Sequence, residues 1–161
     1  MSRIFCQTVF IIFLGGCAQL QSVSSSIDTS QIETNSEAVE AIFRYQFMHD
    51  ASGVQSGAQV YCIGFSDHQS DRPNNGDPSQ QFLLRFTDVK PPVKALSQCS
   101  ASADKGVSDK ATGKIGLIFR VTSIKCATDS KCEASGGYYE GGLSSSGDTY
   151  FLEKRLEKWV V

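Results

Sequence analysis

The sequence predicts an α+β domain in which N-terminal helices pack on one face of a curved antiparallel sheet. Apolar residues recur at helical spacing in the first half of the chain, and four short strand-like runs follow one another closely after residue 115. Paired glycines interrupt one of these runs, which is typical of a strand that bends. Helices followed by strands, rather than helices alternating with strands, indicate the α+β class.

The start of the chain has the pattern of a bacterial signal peptide at residues 1–16. Arg3 provides a positive charge, residues 4–13 form an apolar run, and Leu14-Gly15-Gly16-Cys17 follows. An apolar run of about ten residues is too short to span a bilayer, which takes roughly 20. The four-residue motif resembles the lipobox of bacterial lipoproteins, which implies cleavage before Cys17 and attachment of acyl chains such as palmitate to that cysteine. An ordinary secretory signal is the alternative.

A lipid anchor on Cys17 predicts a location in the cell envelope. Ala18 follows the cysteine, where Asp would favour the inner membrane. By resemblance to the Gram-negative sorting rule, we therefore expect the periplasmic face of the outer membrane. Several acyl chains together anchor a protein stably, so the folded part needs no membrane-binding surface for attachment.

Length and charge limit the mature protein to one domain. Removal of the signal leaves 145 residues, with Ser and Gln prominent at their start, so we expect a flexible tether at 17–33 and a single domain at 34–161. The mature chain carries 14 Lys and Arg against 17 Asp and Glu, a formal net charge of −3. Because no basic run is present, this balance argues against a nucleic-acid partner. No sequence motif indicates a cofactor.

Four cysteines remain once Cys6 in the signal and the lipidated cysteine are set aside: Cys62, Cys99, Cys126 and Cys132. An even number in an exported protein predicts two disulfides. Cys126 and Cys132 flank a polar, turn-like segment, so a hairpin would place them opposite each other and leave Cys62 to pair with Cys99. The alternative is a thiol or zinc site, which the lack of a Cys-x-x-Cys pair argues against. We predict no metal site.

The first helix is predicted to begin at Thr34-Asn35-Ser36-Glu37, which matches a capping box. An apolar stripe at helical spacing follows, formed by Val39, Ile42, Phe43 and Phe47. Gly53 is the expected stop. His49 and Asp50 near this end invite a general-base interpretation, but a histidine near a helix C-terminus more often caps carbonyls or favours the dipole.

The next segment is predicted to be a buried strand, a loop and a second helix. Residues 58–65 are almost entirely apolar, as in a strand buried on both faces, and residues 66–78 are rich in Asp, Asn, Gly and Pro. An EF-hand register starting at Asp71 fails because Pro73 and Phe82 stand where ligands belong. Asp77-Pro78 predicts the start of a helix that ends at Lys90-Pro91-Pro92.

Strands dominate the rest of the predicted domain. A short strand containing Cys99 is expected at 97–103, followed by strands at 115–125, 131–142, 149–154 and 158–161. Turns are expected at 129–130, 144–148 and 155–157. Strands this close favour sequential hairpins, because parallel neighbours need a crossover of about a dozen residues or more. The pairs Gly136-Gly137 and Gly141-Gly142 predict bulges or sharp curvature.

Three segments resemble the nuclear transport factor 2-like superfamily, also called SnoaL-like or cystatin-like. They are Gly116–Val121, Gly137–Gly141, and Tyr150–Leu152 together with Lys158–Val161. The resemblance implies a cone-like roll in which helices pack into the concave side of the sheet. The chain has less helix before the sheet than that family usually has, so another cystatin-type α+β roll remains the alternative.

No catalytic motif of the superfamily matches residue by residue. Its enzymes use an acidic or histidine base inside the cone, so the resemblance makes five residues candidates for lining a cavity: Tyr61, Arg120, Tyr138, Tyr139 and Glu140. The competing interpretation places Tyr61 in the core and has Arg120 and Glu140 paired or facing water. In that interpretation one of the two adjacent tyrosines points outward, because neighbours on a strand alternate.

Three functions are consistent with these patterns. The leading hypothesis is a non-enzymatic, lipid-anchored envelope domain that binds a protein or a small ligand. A cone-fold isomerase or hydrolase acting on an apolar molecule would require a pocket containing an ionisable group with a shifted pKa. An immunity-type lipoprotein that neutralises a toxin would require an exposed acidic or aromatic patch.

Overall fold

The computed structural model describes residues 29–50, 57–65, 76–142 and 144–161. The predictions for the signal, for Cys17, for Gly53 and for residues 66–75 of the loop predicted at 66–78 lie outside these ranges. The helices are α1 (Thr29–Thr34), α2 (Ser36–His49) and α3 (Gln80–Leu83), with short 3-10 turns at Leu84–Phe86 and Leu96–Gln98. The strands are β1 (Val60–Gly64), β2 (Val93–Ala95), β3 (Cys99–Ser102), β4 (Gly106–Asp109), β5 (Ile115–Thr128), β6 (Lys131–Gly141), β7 (Ser144–Arg155) and β8 (Lys158–Val160).

All eight strands belong to one curled, mixed sheet. Its main path runs β2-β1-β5-β6-β7-β8, while β4 pairs with the start of β5 and also with β3. The segment from β5 to β8 is the predicted series of antiparallel hairpins. The α+β class is thus confirmed, but the prediction of an entirely antiparallel sheet is wrong, since β1 runs parallel to both β2 and β5. The chain that follows β1 is long enough to supply these crossovers.

The helix-facing side of the sheet is filled by aromatic rings. The predicted stripe of α2 is buried and packs on β1 and β5. Phe47 lies at its centre, with ring centroids 4.9 Å from Tyr61 and 5.2 Å from Phe119. Most neighbouring rings meet edge to face, the arrangement that the ring quadrupole favours. The rings in this cluster are those of Phe43, Phe47, Tyr61, Phe65, Phe82, Phe86 and Phe119.

A second, smaller core lies on the opposite face of the sheet. Every residue of β1 is buried, as predicted, because alternate side chains enter the two cores. The second core consists of Val60, Cys62, Cys99, Val107, Ile118 and Tyr139. The Cys62–Cys99 disulfide joins β1 to β3 within it, and Cys126–Cys132 joins β5 to β6. Both bridges follow the predicted pairing.

Asp109, at the end of β4, holds together the strands around this second core. Its carboxylate is buried and accepts hydrogen bonds from Thr112 Oγ1 at 2.5 Å and Lys94 Nζ at 2.9 Å. The hydrogen bond from Thr112, followed by that from Lys94, lowers the pKa of Asp109 to about 2. The ion pair therefore links β2 to the end of the β3–β4 hairpin.

The N-terminal part of the domain differs from its prediction. Helix α1 occupies part of the segment expected to be a tether, and its Ile32 is buried in the main core. The next helix begins at Ser36, and its N-cap residue, Asn35, makes no side-chain capping bond. The predicted capping box with Thr34 is therefore wrong, because Thr34 already belongs to α1.

The second predicted helix is shorter than expected. Ser79 is its N-cap and accepts the Phe82 N–H at 3.2 Å, whereas the predicted cap, Asp77, accepts the Ser97 N–H at 2.8 Å. Asp77 thus holds the distant turn that precedes β3. The apolar residues Phe82 and Phe86 are nevertheless buried as their spacing indicated.

Residues 144–148 form strand instead of the predicted turn. This Ser- and Gly-rich segment pairs with β6 from Gly141 to Gly136. The close approach depends on Gly137, because a Cβ atom there would lie 2.0 Å from the Ser146 carbonyl oxygen. The predicted irregularity is present, with one register shift between Tyr139 and Gly141.

Candidate functional site

The five residues proposed to line a cavity are divided among different environments. Tyr61 stacks on Phe47 inside the aromatic core. Tyr138 is partly buried against that core, whereas Tyr139 belongs to the second core. Their registers explain the division, since Tyr138 lies opposite Phe119 and Tyr139 opposite Ile118.

Arg120 and Glu140 are both buried charged residues. Arg120 alternates along β5 with residues of the aromatic core, and Glu140 accepts a hydrogen bond from the Ser144 hydroxyl at 2.7 Å. The five residues therefore do not surround one common space.

A polar network lies instead where α2 meets β5 and β7. Gln46 is completely buried, and its Nε2 donates to the Arg120 carbonyl at 2.9 Å and to the Tyr150 hydroxyl at 3.0 Å. The Tyr150 hydroxyl in turn donates to the Asp50 carboxylate. Gln46 Oε1 receives no hydrogen bond from the residues that the structure describes.

Burial controls the protonation of this network. It raises the pKa of Asp50, and the hydrogen bond from Tyr150 offsets part of that rise. Burial and the bond to Asp50 also raise the pKa of Tyr150 far above its usual value. Tyr150 therefore remains a hydrogen-bond donor throughout the physiological pH range, and Asp50 is a carboxyl group that favours its neutral form more than an exposed aspartate does.

The sequence contained a partial signal for this network. The predicted end of the helix includes Asp50, which is the C-cap residue of α2 and donates its N–H to the Gln46 carbonyl. The missed signal was Gln46 itself, a polar residue between Phe43 and Phe47 on the buried stripe. A polar side chain at such a position requires a buried partner. Its partner Tyr150 is 104 positions away, which local patterns do not reveal.

A second candidate site is the outer surface of the long strands, here called the distal face. It consists of Lys125, Lys131, Glu133, Phe151, Glu153, Arg155, Lys158 and Val160, and the turn of Leu156 and Glu157 lies at its end. Phe151 is 69% exposed and Val160 is 44% exposed. Two adjacent hollows of about 420 and 520 Å³ on this face share Lys131.

The β7–β8 turn at the end of this face presents an apolar side chain. Leu156 and Glu157 are the two residues between the paired Arg155 and Lys158, and their φ values are 48° and 61°. Two-residue hairpin turns with both φ values positive are type I′, which favours Asn and Gly. Leu156 is nevertheless 99% exposed there. The sequence predicted a turn at 155–157 but not the exposure of Leu156 in it.

The described part of the chain holds neither a metal-binding cluster nor a helix that could span a membrane. Among those residues, no three His, Cys, Asp or Glu side chains are grouped so that they could hold a metal ion. No described helix combines the length and apolar character needed to cross a bilayer. Comparison with protein-family models, curated proteins and solved structures finds no match to this chain.

Proposed function

We propose that this chain is a lipid-anchored cell-envelope protein whose domain acts by docking, through the distal face, onto another component of the envelope. The observation that carries the proposal is the exposed apolar surface of Phe151 and Val160 on the distal face and of Leu156 in the turn at its end. Exposed apolar groups that cluster on one face are typical of interaction surfaces. The aromatic core fills the helix-facing side of the sheet, so recognition on the outside is the simpler arrangement.

The anchor and location form the other half of the proposal. The signal-like segment ending in Leu14-Gly15-Gly16-Cys17 supports lipidation at Cys17, and two disulfides fit an oxidising compartment. We propose the periplasmic face of the outer membrane as the location. The curled sheet around α2 supports a cone-like roll of the nuclear transport factor 2-like type as the finer description of the fold.

Docking can be tested by oxidative footprinting in intact envelopes. Hydroxyl radicals label exposed side chains, so Phe151 and Leu156 should be protected in envelopes and labelled after detergent extraction. Met48 and Leu84 provide internal controls, because they are 67% and 57% exposed on other elements. Equal labelling of Phe151 and Leu156 in both preparations would contradict docking.

The anchor is tested separately. Cys17→Ala should remove the acylated N-terminal peptide from the mass spectrum of the protein and release the protein from the membrane fraction. Unchanged acylation and partitioning of this variant would contradict the anchor, whatever the footprint shows.

The polar network supports a second candidate function, a small enzyme that acts on an apolar molecule at the end of α2. In that role Asp50 would accept a proton and Tyr150 would orient it, because the two groups are already hydrogen-bonded. Asp50→Asn and Tyr150→Phe should then abolish turnover in a screen of ester and ketone substrates while the domain stays folded. Lack of turnover by the wild-type protein would exclude those substrate classes.

A further inference from the structure

We infer that the envelope component contacted by the distal face is the anionic headgroup layer of the membrane, so that the domain lies on the bilayer with β7 and β8 against the lipid. The inference rests on the proposed function and specifies its partner. It also extends the expectation drawn from the sequence, in which the acyl chains alone contacted the membrane. In this arrangement the acyl chains retain the protein and the distal face orients it.

Leu156 is the first observation in favour of a lipid partner. It is fully exposed at the tip of a hairpin, in a backbone conformation that leucine rarely adopts. Asn or Gly at this position would improve both the turn and the solubility of the domain. Phe151 and Val160 extend the apolar surface along the same sheet. Proteins that lie on membranes typically expose apolar side chains, which enter the boundary between the headgroups and the acyl chains.

Charge is the second observation, and it distinguishes this face from the rest of the molecule. The distal face carries four cations, Lys125, Lys131, Arg155 and Lys158, against the two carboxylates of Glu133 and Glu153, and Glu157 in the turn brings the net charge from +2 to +1. The whole chain has a net charge of −2, so the remaining surface is acidic. An anionic bilayer would therefore attract this face more than the rest of the molecule taken together.

The carboxylates near the tip have cationic partners within the domain. Glu153 forms an ion pair with Arg155 at 2.9 Å, and Glu157, beside Leu156, forms one with Lys154 at 3.2 Å. Glu133 lies directly across from Lys125 on the neighbouring strand. Lys131 and Lys158 flank the apolar side chains and therefore supply much of the attraction to lipid phosphates.

The test uses the lipidated full-length product reconstituted in two kinds of vesicle, phosphatidylcholine alone and an equal mixture of phosphatidylcholine and phosphatidylglycerol. Oxidation of Phe151 and Leu156 should be lost in the mixed vesicles and retained in the neutral ones, while Met48 and Leu84 stay labelled in both. High salt should restore labelling in the mixed vesicles, because it screens the attraction. If Cys17 carries no lipid, the same measurement is made on full-length protein added to the vesicles.

Two sets of variants make the test independent of folding. Leu156→Asn should weaken the protection of Phe151 while leaving the domain folded, since Asn suits the turn. Lys131→Gln and Lys158→Gln should each shift the equilibrium away from the protected state roughly fivefold. The matched control is Lys105→Gln with Lys114→Gln, at exposed positions away from the distal face, which should leave the protection unchanged.

The outcomes separate this inference from the proposed function. Protection of Phe151 in native envelopes but not in mixed vesicles would keep docking and overturn the lipid partner in favour of a protein. Equal protection in neutral and mixed vesicles would overturn the role of anionic headgroups. Protection that survives both Leu156→Asn and the two lysine substitutions would show that another surface contacts the lipid.

Discussion

Replacement of Gly136 by alanine should be one of the most destabilising single-methyl changes in the domain. A Cβ atom at this position would lie 2.2 Å from the Arg120 carbonyl oxygen and 3.2 Å from Gln46 Nε2. The first distance is shorter than any real contact of this kind, so β5 and β6 must separate. The Arg120 carbonyl would then move away from the buried amide that donates to it.

The size of the effect follows from two contributions. Strain from overpacking a closely packed site costs about 1–3 kcal/mol. Loss of the hydrogen bond to Arg120 leaves part of the buried Gln46 amide without a partner, which costs about 1–3 kcal/mol more. We therefore expect Gly136→Ala to lower the free energy of unfolding by about 3 kcal/mol or more, as measured by urea denaturation with the disulfides intact.

Gly147 is a matched control on the neighbouring strand. A Cβ atom at Gly147 would have its nearest contact beyond its chain neighbours at 4.0 Å, with the Gly136 carbonyl oxygen. Gly147→Ala should therefore leave the stability unchanged or raise it by a few tenths of a kcal/mol, about the conformational entropy it removes from the unfolded chain. Equal stability of the two variants would refute the assigned role of Gly136 in admitting the Gln46 bond.

Three further predictions concern the disulfides and the carboxyl groups of Asp109 and Asp50. Replacement of Cys62 and Cys99 by serine should lower the free energy of unfolding by about 4 kcal/mol, because that disulfide joins residues 37 positions apart. The same change at Cys126 and Cys132, which are 6 positions apart, should lower it by about 2 kcal/mol. Urea denaturation of each double variant measures the difference. Asp109 has a folded-state pKa of about 2, below its unfolded value of about 3.9, so its stabilisation is complete above pH 4 or so and is lost as the pH falls toward 2. Asp109→Asn should accordingly be less stable than wild type at pH 7 and show a shallower loss of stability in that acid range, whereas parallel curves would contradict the pairing with Thr112 and Lys94. Asp50 affects stability in the opposite direction, because its pKa is raised in the folded state. The folded state therefore favours the protonated carboxyl, and Asp50 lowers the free energy of unfolding as the pH rises above the ordinary range of aspartate. Asp50→Asn should thus be at least as stable as wild type at pH 7 in thermal melts. Tyr150→Phe removes one of the two acceptors of the Gln46 amide and the hydroxyl that donates to Asp50, so it should be less stable by about 1–3 kcal/mol.

Local patterns in the sequence predicted those parts of the fold that depend on neighbouring residues. The buried stripe of α2, the continuous apolar run of β1 and the hairpin around Cys126 and Cys132 are each determined within a few turns or strands. The parallel neighbours of β1 were missed, because pairing of Val60 with Gly116 depends on contacts between distant segments.

The errors at β7 and in the polar network have the same physical origin. The Ser- and Gly-rich residues 144–148 resemble a turn when considered alone, and they form strand because the glycines of β6 allow a close approach. Gln46, Asp50 and Tyr150 are polar residues whose roles become visible only when α2 and β7 are adjacent. The distal face was likewise hidden, since its residues come from four separate strands and alternate with buried ones along β6 and around Phe151 on β7.

The parallel pairing of β1 with β5 has a consequence for the order in which the domain can assemble. Strands β5–β8 contact neighbours that are close in the chain, and so they can pair early. In contrast, α2 and β1 bury their aromatic residues against Phe119 and its neighbours, which are synthesised and delivered much later. Any process that releases the chain from its N-terminus therefore exposes Phe43, Phe47 and Tyr61 until the last third arrives. During that interval the chain is at its most prone to aggregation and has the greatest need for a holding chaperone.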